Sequence, residues 1–575
     1  MDGLSNVMRR LIRSRKTRLY ACIILLLTFI VDGFMDRKAA LEANLPYATV
    51  MDEGYITVPA KNILISGDLN PHYFHYPSLP IYLISSGMLL GYLANAPAFE
   101  RNALDLNVIG RVTYPFYQTP SVVKGAKLLF SFLSVLVFFF ISYTAYKAFD
   151  NLFLLFMPAL ILSLSRYYFS ESWLYLNVDI IGAVAVSFFY FVVFICLNRD
   201  SYMSRAVVPG LAAGIVIASK YNLFPILLVM PMAILLFGDK DKFQKIALYF
   251  IVAIGSFFIF TPYALLDLNT FVSHIAYQVH HYQTGHPGHN ISPGFEHLKK
   301  AIFTIRGSYG WPLTILGFAG CFYALKHRWK HGLLLLIFPL LFLFYMSSQQ
   351  VFFPRNILPV ITLMPIFISL GILLSYRVVF LVTQRYLRIN NASGSAGKLL
   401  SVLQERSSLL SIIFVTAVLF FTTPIGRVYG MKIHMDTRNQ ALQWINTNIP
   451  AGSNIFIAQS IGMDVRSIAE QYHFRMIDFR KGRASKILDQ IKPKDGQLSY
   501  IIAPEFKHNK IYPRQEELSD AINNKVANML SQAVVIKDFG KTPLWINTKY
   551  KASWYEKKFT YMPAGSNARF SVFKL

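Results

Sequence analysis

The residues able to do chemistry fall into a few short clusters. Asp52-Glu53 is an acidic pair, followed by Gly67-Asp68 and by the aromatic segment Phe74-His75-Tyr76-Pro77. A carboxylate can accept a proton from a hydroxyl in the transition state, and its hydrogen bond orients that oxygen for attack. Asp179 stands at the start of an apolar run, just after Ser170-Glu171-Ser172-Trp173-Leu174-Tyr175-Leu176-Asn177. Arg355, inside Val351-Phe-Phe-Pro-Arg-Asn-Ile-Leu-Pro359, offers a guanidinium that can grip two oxygens of a phosphate. Lys220, at the end of Gly210-Leu-Ala-Ala-Gly214-Ile-Val-Ile-Ala-Ser219, and Arg166, before Tyr167-Tyr168, are further cations for phosphate or sugar.

Each cluster also has a plain structural reading. Asp52-Glu53 and Asp179 suit the positive end of a helix, where acids cap or offset the dipole. A terminal lysine such as Lys220 can snorkel. His274, His280, His281, His286, His289 and His297 crowd one loop, with His75 in another. A His75/His281 pair could hold a divalent metal, but solvated or substrate-contacting histidines are the favoured reading.

The elements that position these groups are membrane helices. The chain has 575 residues, 54% of them hydrophobic and 15% aromatic, which excludes a soluble globule. Its formal charge of +26 would suggest nucleic acid in a soluble protein, but here the placement of the charge matters more. Arg9, Arg10, Arg13, Arg15, Lys16 and Arg18 precede the first apolar run and read as a cytoplasmic anchor. No small-residue cleavage pattern follows Ile30-Val31-Asp32, so the run reads as an uncleaved signal anchor. Cys22, Cys196 and Cys321 lie in apolar runs and read as packing residues.

The positive-inside tendency then threads the chain. Treating Leu79 to Leu93 as a span would put the later basic clusters outside, so that run is expected to lie in the outer interface. The remaining spans are Gly125 to Tyr146, Leu152 to Ser165, Val178 to Leu197, Ala206 to Ser219, Asn222 to Phe237, Ile246 to Tyr263, Pro312 to Leu325, Gly332 to Met346, Ile357 to Tyr376 and Leu409 to Thr423. With the first they make about eleven, a count that follows from the ~20 residues a helix needs to cross. Asp52, Asp179, Lys220, the His-rich loop 267–300 and Arg355 all then fall on the external face. After Pro424 the long apolar runs stop. A helix over 438–448 and strands at 454–458, 500–503, 533–536 and 570–573 predict a small external α/β domain. The expected organisation is a basic N-terminus (1–18), a membrane domain (19–425, with a first external loop at 36–124) and an external domain (426–575).

The acidic pair, the Gly-Asp sixteen positions after its first acid and the aromatic segment with proline together resemble the first external loop of polyprenyl-phosphate-dependent glycosyltransferases of the GT-C fold. That group holds the protein O-mannosyltransferases and the aminoarabinose transferase of lipid A, and the chain is similar to glycosyltransferase family 39. The pattern runs from about Leu19 to Tyr376, and the Asp436-x-Arg438-x-x-Ala441-x-x-Trp444-Ile445 start of the C-terminal part belongs to it. The resemblance implies an inverting transferase in the inner (plasma) membrane, with a polyprenyl-phosphate-linked sugar as donor and a lipid, glycan or protein hydroxyl as acceptor. It implies Asp52 as the base, with Glu53 beside it, Asp179 orienting substrate, and Arg355, Lys220, Arg166, His75 and His281 around the donor. His281 falls where the aminoarabinose transferase has a metal-binding histidine. His75 replaces that enzyme's glutamate partner and Tyr76 the lysine after it, so neither the metal nor the sugar type carries over.

Two other readings use the same features. A transporter or flippase of lipid-linked glycans would place ionisable residues near mid-membrane in matched halves, and no internal symmetry is visible. A polysaccharide polymerase would carry a dominant late external loop rather than an acidic pair in the first. With no glycine-rich phosphate loop near a strand, no zinc-finger spacing and no Gly-x-Ser-x-Gly elbow, a nucleotide-sugar donor is unsupported.

Overall fold

The computed structural model describes residues 15–45, 51–94, 121–238, 240–286, 289–389, 437–458, 463, 465, 468–477, 498–504, 534–539 and 570–574. Among these, six helices are long and apolar enough to cross a membrane, so the chain is a multi-pass helical membrane protein. The helices are α1 (Arg15–Asn44), α2 (Gly54–Ser66), α3 (Ser78–Ala94), α4 (Ser121–Phe149), α5 (Met157–Ser163), α6 (Arg166–Leu174), α7 (Val178–Cys196), α8 (Val208–Ser219), α9 (Val229–Phe237), α10 (Lys242–Phe260), α11 (Leu268–Thr284), α12 (Phe295–His327), α13 (Trp329–Ser347), α14 (Leu358–Ile389) and α15 (Thr437–Asn448). The six are α1, α4, α7, α10, α13 and the start of α14 with the turn before it, while Ser78–Ala94, Met203–Ser219 and Tyr221–Phe237 are shorter apolar helices. The expected span at 409–423 lies outside the described residues.

Small residues set the closest helix contacts. A Cβ at Gly210 or Gly214 of α8 would meet the Tyr249 carbonyl of α10 at 2.9 Å or the Ala253 carbonyl at 2.6 Å, so the glycine face expected from the sequence is what lets these helices touch. At Gly91 of α3 a Cβ would meet the Val122 carbonyl of α4 at 2.6 Å. The helix α12 is broken at Gly310, whose φ of 77° lies in the left-handed region, and Pro312 begins its second half. Pro59 lies in the second turn of α2, past the first turn where a proline costs nothing.

The segment read as a His-rich loop is mostly helix. Residues 268–284 form α11, and His297 lies in the first turn of α12. The apolar and aromatic residues Phe271, Tyr277 and Tyr282 hide a helical period behind the histidines.

Packing divides the chain into two compact units. The second gathers Ala39–Asp52 and Thr113–Pro120 with Ile433–Leu575, so Asp52 and Glu53 fall in different units. In the second unit a five-stranded sheet has the order β2-β1-β3-β5-β4, with β1 (Asn454–Ala458), β2 (His473–Ile477), β3 (Ser499–Pro504), β4 (Val534–Phe539) and β5 (Phe570–Lys574). The strands β2, β1 and β3 run parallel, whereas β5 is antiparallel to both β3 and β4. Alternate residues Ile455 and Ile457 of β1 and Tyr500 and Ile502 of β3 share a buried cluster with Ala441 and Ile445 of α15 and with Ile449 just after it. Asn439 on that helix donates to the carbonyls of Ala43 (3.3 Å) and Leu45 (2.7 Å). Four strands coincide with the segments expected from the sequence. The fifth, β2, carries no local signal, because His473 and Arg475 break the apolar pattern of a short run.

Candidate active site

Glu53 occupies the N-cap position of α2, yet its side chain makes no cap hydrogen bond. It turns inward instead. Lys127 of α4 donates to Glu53 Oε1 at 2.5 Å and to the Leu174 carbonyl at 2.6 Å, and the Leu176 amide donates to the same Oε1 at 3.1 Å. Both side chains are buried, 0% and 5% exposed. Charges withdrawn from water to this degree survive only when paired and hydrogen-bonded. The pair therefore locks the turn at 174–177 between α6 and α7. Glu53, expected beside the base, is taken up by this buried pair.

That turn delivers a second set of groups. Asn177 caps α7, its Oδ1 accepting from the Ile180 amide at 2.9 Å, so Asp179 is not the cap the simpler reading would make it. Asp179 binds two cations. Lys220 Nζ, at the end of α8, donates to Oδ1, and Arg355 Nε lies 3.3 Å from Oδ2. Lys220 also donates to Asn356 Oδ1 at 2.8 Å, and Asn356 Nδ2 donates to the Tyr282 hydroxyl of α11 at 3.3 Å. Lys220 is thus buried and paired rather than snorkelling. Arg355 sits in the 3-10 turn Pro354–Ile357 that starts α14. Its guanidinium lies over Phe353 (4.6 Å) and Tyr175 (5.2 Å), and with 21% of its side chain exposed it is the most accessible of the three charges.

Glu171 completes this cluster. Its Oε2 accepts from Asn177 Nδ2 at 3.2 Å, and burial pushes the carboxyl up to about 7, with nearby Asp179 adding and Arg355 opposing. Glu171, Asn356, Tyr282 and Lys127 are not among the residues the sequence singles out. The first two lie close in sequence to residues that stand out, whereas Lys127 gives no signal beyond being a lysine inside an apolar run.

The loop after α2 is organised by Asp68, whose Oδ1 accepts from the Asn70 amide (2.8 Å) and whose Oδ2 pairs with His72 (2.9 Å). Asn70 Nδ2 reaches Asp267 at 3.0 Å, and the Phe74 amide donates to His274 Nδ1 at 3.1 Å, which docks the aromatic segment on α11. His75 stacks on His274 with centroids 4.1 Å apart, and its Nδ1 lies 3.1 Å from Gln278 Nε2. Burial and the neighbouring His274 and His281 hold His75 down at about 4. His281 stacks parallel to Tyr277 at 6.0 Å, while His75 meets the same ring edge-on at 5.0 Å. Both histidines flank a tyrosine, and among the described residues no group of three His, Cys, Asp or Glu is placed to hold an ion. This arrangement does not fit a His75/His281 metal site.

Two candidates remain. Asp52 is half-buried in the 3-10 turn Met51–Glu53 and packs with the second unit. Arg166 opens α6 after the Ser165 cap, and its side chain lies outside the described ones. The adjacent Tyr168 is structural, its hydroxyl donating to the Ser134 carbonyl at 2.7 Å inside the bundle.

No family model matches the chain, and no curated protein matches it. Among solved structures, the chain is similar to ArnT from Cupriavidus metallidurans bound to undecaprenyl phosphate, at 12% identity and a TM-score of 0.46, covering 95% of this chain and 97% of that one. It is similar to the apo form of the same protein, at 13% identity and a TM-score of 0.46, covering 96% and 98%. The oligosaccharyltransferase of Archaeoglobus fulgidus in its apo form is similar at 13% identity and a TM-score of 0.44, covering 83% of this chain and 69% of that one.

Proposed function

We propose that the chain is an integral-membrane inverting glycosyltransferase of the GT-C type, which moves a monosaccharide from a polyprenyl-phosphate donor to an acceptor hydroxyl at the external membrane face. The observation that carries this reading is the Asp179-Lys220-Arg355 cluster. In a membrane protein an ionised group of this kind is costly and belongs to a functional site by default. Its most exposed member, Arg355, has its orientation fixed by a carboxylate and two aromatic rings. A guanidinium held in one orientation matches two oxygens of a phosphate with little ordering left to do on binding.

In the proposed reaction the acceptor oxygen attacks the anomeric carbon in line with the departing bond. The hydroxyl proton goes to a carboxylate base, a role proposed for Asp52 from the sequence alone, the anomeric carbon-to-phosphate-oxygen bond breaks, and the polyprenyl phosphate leaves with the electron pair. Arg355 offsets the charge that builds on the phosphate. Asp179 and Lys220 hold Arg355 and Asn356 in register, and the Glu53-Lys127 pair holds the turn that carries Asp179. Single displacement inverts the anomeric centre.

The test is to incubate membranes containing the protein with a panel of radiolabelled polyprenyl-phosphate sugars and acceptor-bearing lipid or glycan. Release of bare polyprenyl phosphate coupled to labelled product supports the transferase. Movement of intact donor across the bilayer without release would instead support the flippase reading.

A further inference from the structure

A row of rings leads away from Arg355. From the guanidinium it passes to Phe353 (4.6 Å), then His286 (5.5 Å), His281 (5.1 Å), Tyr277 (6.0 Å) and His75 (5.0 Å). Four separate pieces of chain supply it: the loop at 72–77, the helix α11, the turn after it and the start of the Phe353 segment. Specific contacts hold them in place. The His286 amide donates to Asn290 Oδ1 at 2.5 Å, the Phe352 amide donates to the His289 carbonyl at 3.0 Å, and Asn290 bridges Val351 in antiparallel fashion.

The row is not a hydrophobic core. Every ring in it is at least partly exposed, Tyr277 by 56%, and α11 contains no buried residue. Packing alone would favour phenylalanine or leucine, since several imidazoles in contact repel one another once protonated. His75 and His281 are both held below the ordinary histidine range by burial and by neighbouring histidines. At neutral pH these two rings are flat, uncharged and amphipathic, each offering one nitrogen that donates and one that accepts. A sugar ring is complementary to such a surface. Its axial C–H groups lie against π faces and its hydroxyls reach ring nitrogens, whereas among the described residues of the row the charge is confined to Arg355 at its end, and an isoprenoid has no use for the nitrogens.

We propose that this row is a stacking platform for the neutral sugar of the lipid-linked donor, seated beside the phosphate that Arg355 grips. The inference rests on the phosphate-binding reading of Arg355 and adds the place and the chemical character of the sugar site. His286, adjacent to Phe353, lies under the sugar, and Tyr277 lies at its far edge.

The two readings separate in one binding experiment. The full chain in nanodiscs is titrated with undecaprenyl phosphate and with a panel of undecaprenyl-phosphate hexoses and pentoses. The wild type is expected to bind at least one glycosylated lipid more tightly than the bare lipid. His286→Ala and Tyr277→Ala should erode that preference, His286→Ala by about tenfold, while bare-lipid affinity is unchanged. Tyr277→Phe, which keeps the ring, should retain it. Absence of any preference in the wild type, equal losses for bare and glycosylated lipid, or full preference in both alanine variants would overturn the platform. An Arg355→Ala variant that still binds bare lipid normally would instead overturn the phosphate reading on which it rests.

Discussion

Glu171 makes the stability of the site depend on pH in a direction opposite to that of most carboxylates. Its ordinary value is 4.5 and burial raises it to about 7, so between those values the folded protein holds a proton that the unfolded chain has released. The folded state binds more protons across that window, and stability falls as pH rises through it. At ~1.4 kcal/mol per pH unit, the rise from 4.5 to about 7 corresponds to a loss of about 3 kcal/mol by the time the carboxyl is ionised in both states. Glu171→Gln keeps the shape and removes the titration. Its stability relative to wild type should therefore improve by up to ~3 kcal/mol between acidic and mildly alkaline pH. The assay is thermal or denaturant unfolding of both proteins in detergent across that range. The same ionisation places a second negative charge near Arg355, so wild-type affinity for undecaprenyl phosphate should weaken above pH 7 and that of Glu171→Gln should not. Unfolding curves of the two proteins that stay parallel from acidic to alkaline pH would refute the reasoning.

Other perturbations test the remaining parts. Lys127→Met leaves the Glu53 carboxylate buried without its partner and should destabilise by ~3–5 kcal/mol, whereas Glu53→Gln combined with Lys127→Met should recover much of that loss, as a double-mutant cycle of unfolding midpoints will read. Arg355→Ala should weaken undecaprenyl phosphate binding, and Arg355→Lys should restore it only in part, because a point charge lacks the two-pronged grip; a lysine variant equal to wild type in a titration would remove the bidentate contact. Treatment with a chelator should leave turnover unchanged, because His75 and His281 flank Tyr277 rather than converge; activity lost to chelation and restored by a divalent ion would reverse this. For the threading, cysteines introduced at Gly67 and Gly565 should react with an impermeant thiol reagent from outside and one at Asn391 should not; reaction of the first two from opposite sides would overturn it.

What was legible in the sequence follows from the range of the forces involved. The spans at α4, α7, α10, α13 and α14 announce themselves through continuous apolar runs, a local signal. The glycine face of α8 is equally local, and so is the C-terminal helix at 437–448. The pairing of Asp179 with both Lys220 and Arg355 joins residues 41 and 176 positions apart, and no local pattern encodes it. Capping illustrates the same limit. Both Glu53 and Asp179 stand at helix starts where the dipole would accept them, but Asn177 takes the cap of α7 and each acid is claimed by a distant cation. The sequence of α11 looks like a loop because its histidines are polar by type, although in place they behave as rings that stack.

The most direct test of the central claim is the rate of sugar transfer by Asp52→Asn in nanodiscs, measured with a donor the wild type uses and alongside binding of undecaprenyl phosphate. The substitution keeps size and hydrogen bonding but removes the proton acceptor, so transfer should fall by ~10² to 10⁴ while lipid binding stays at the wild-type level. Transfer at the wild-type rate would contradict the account.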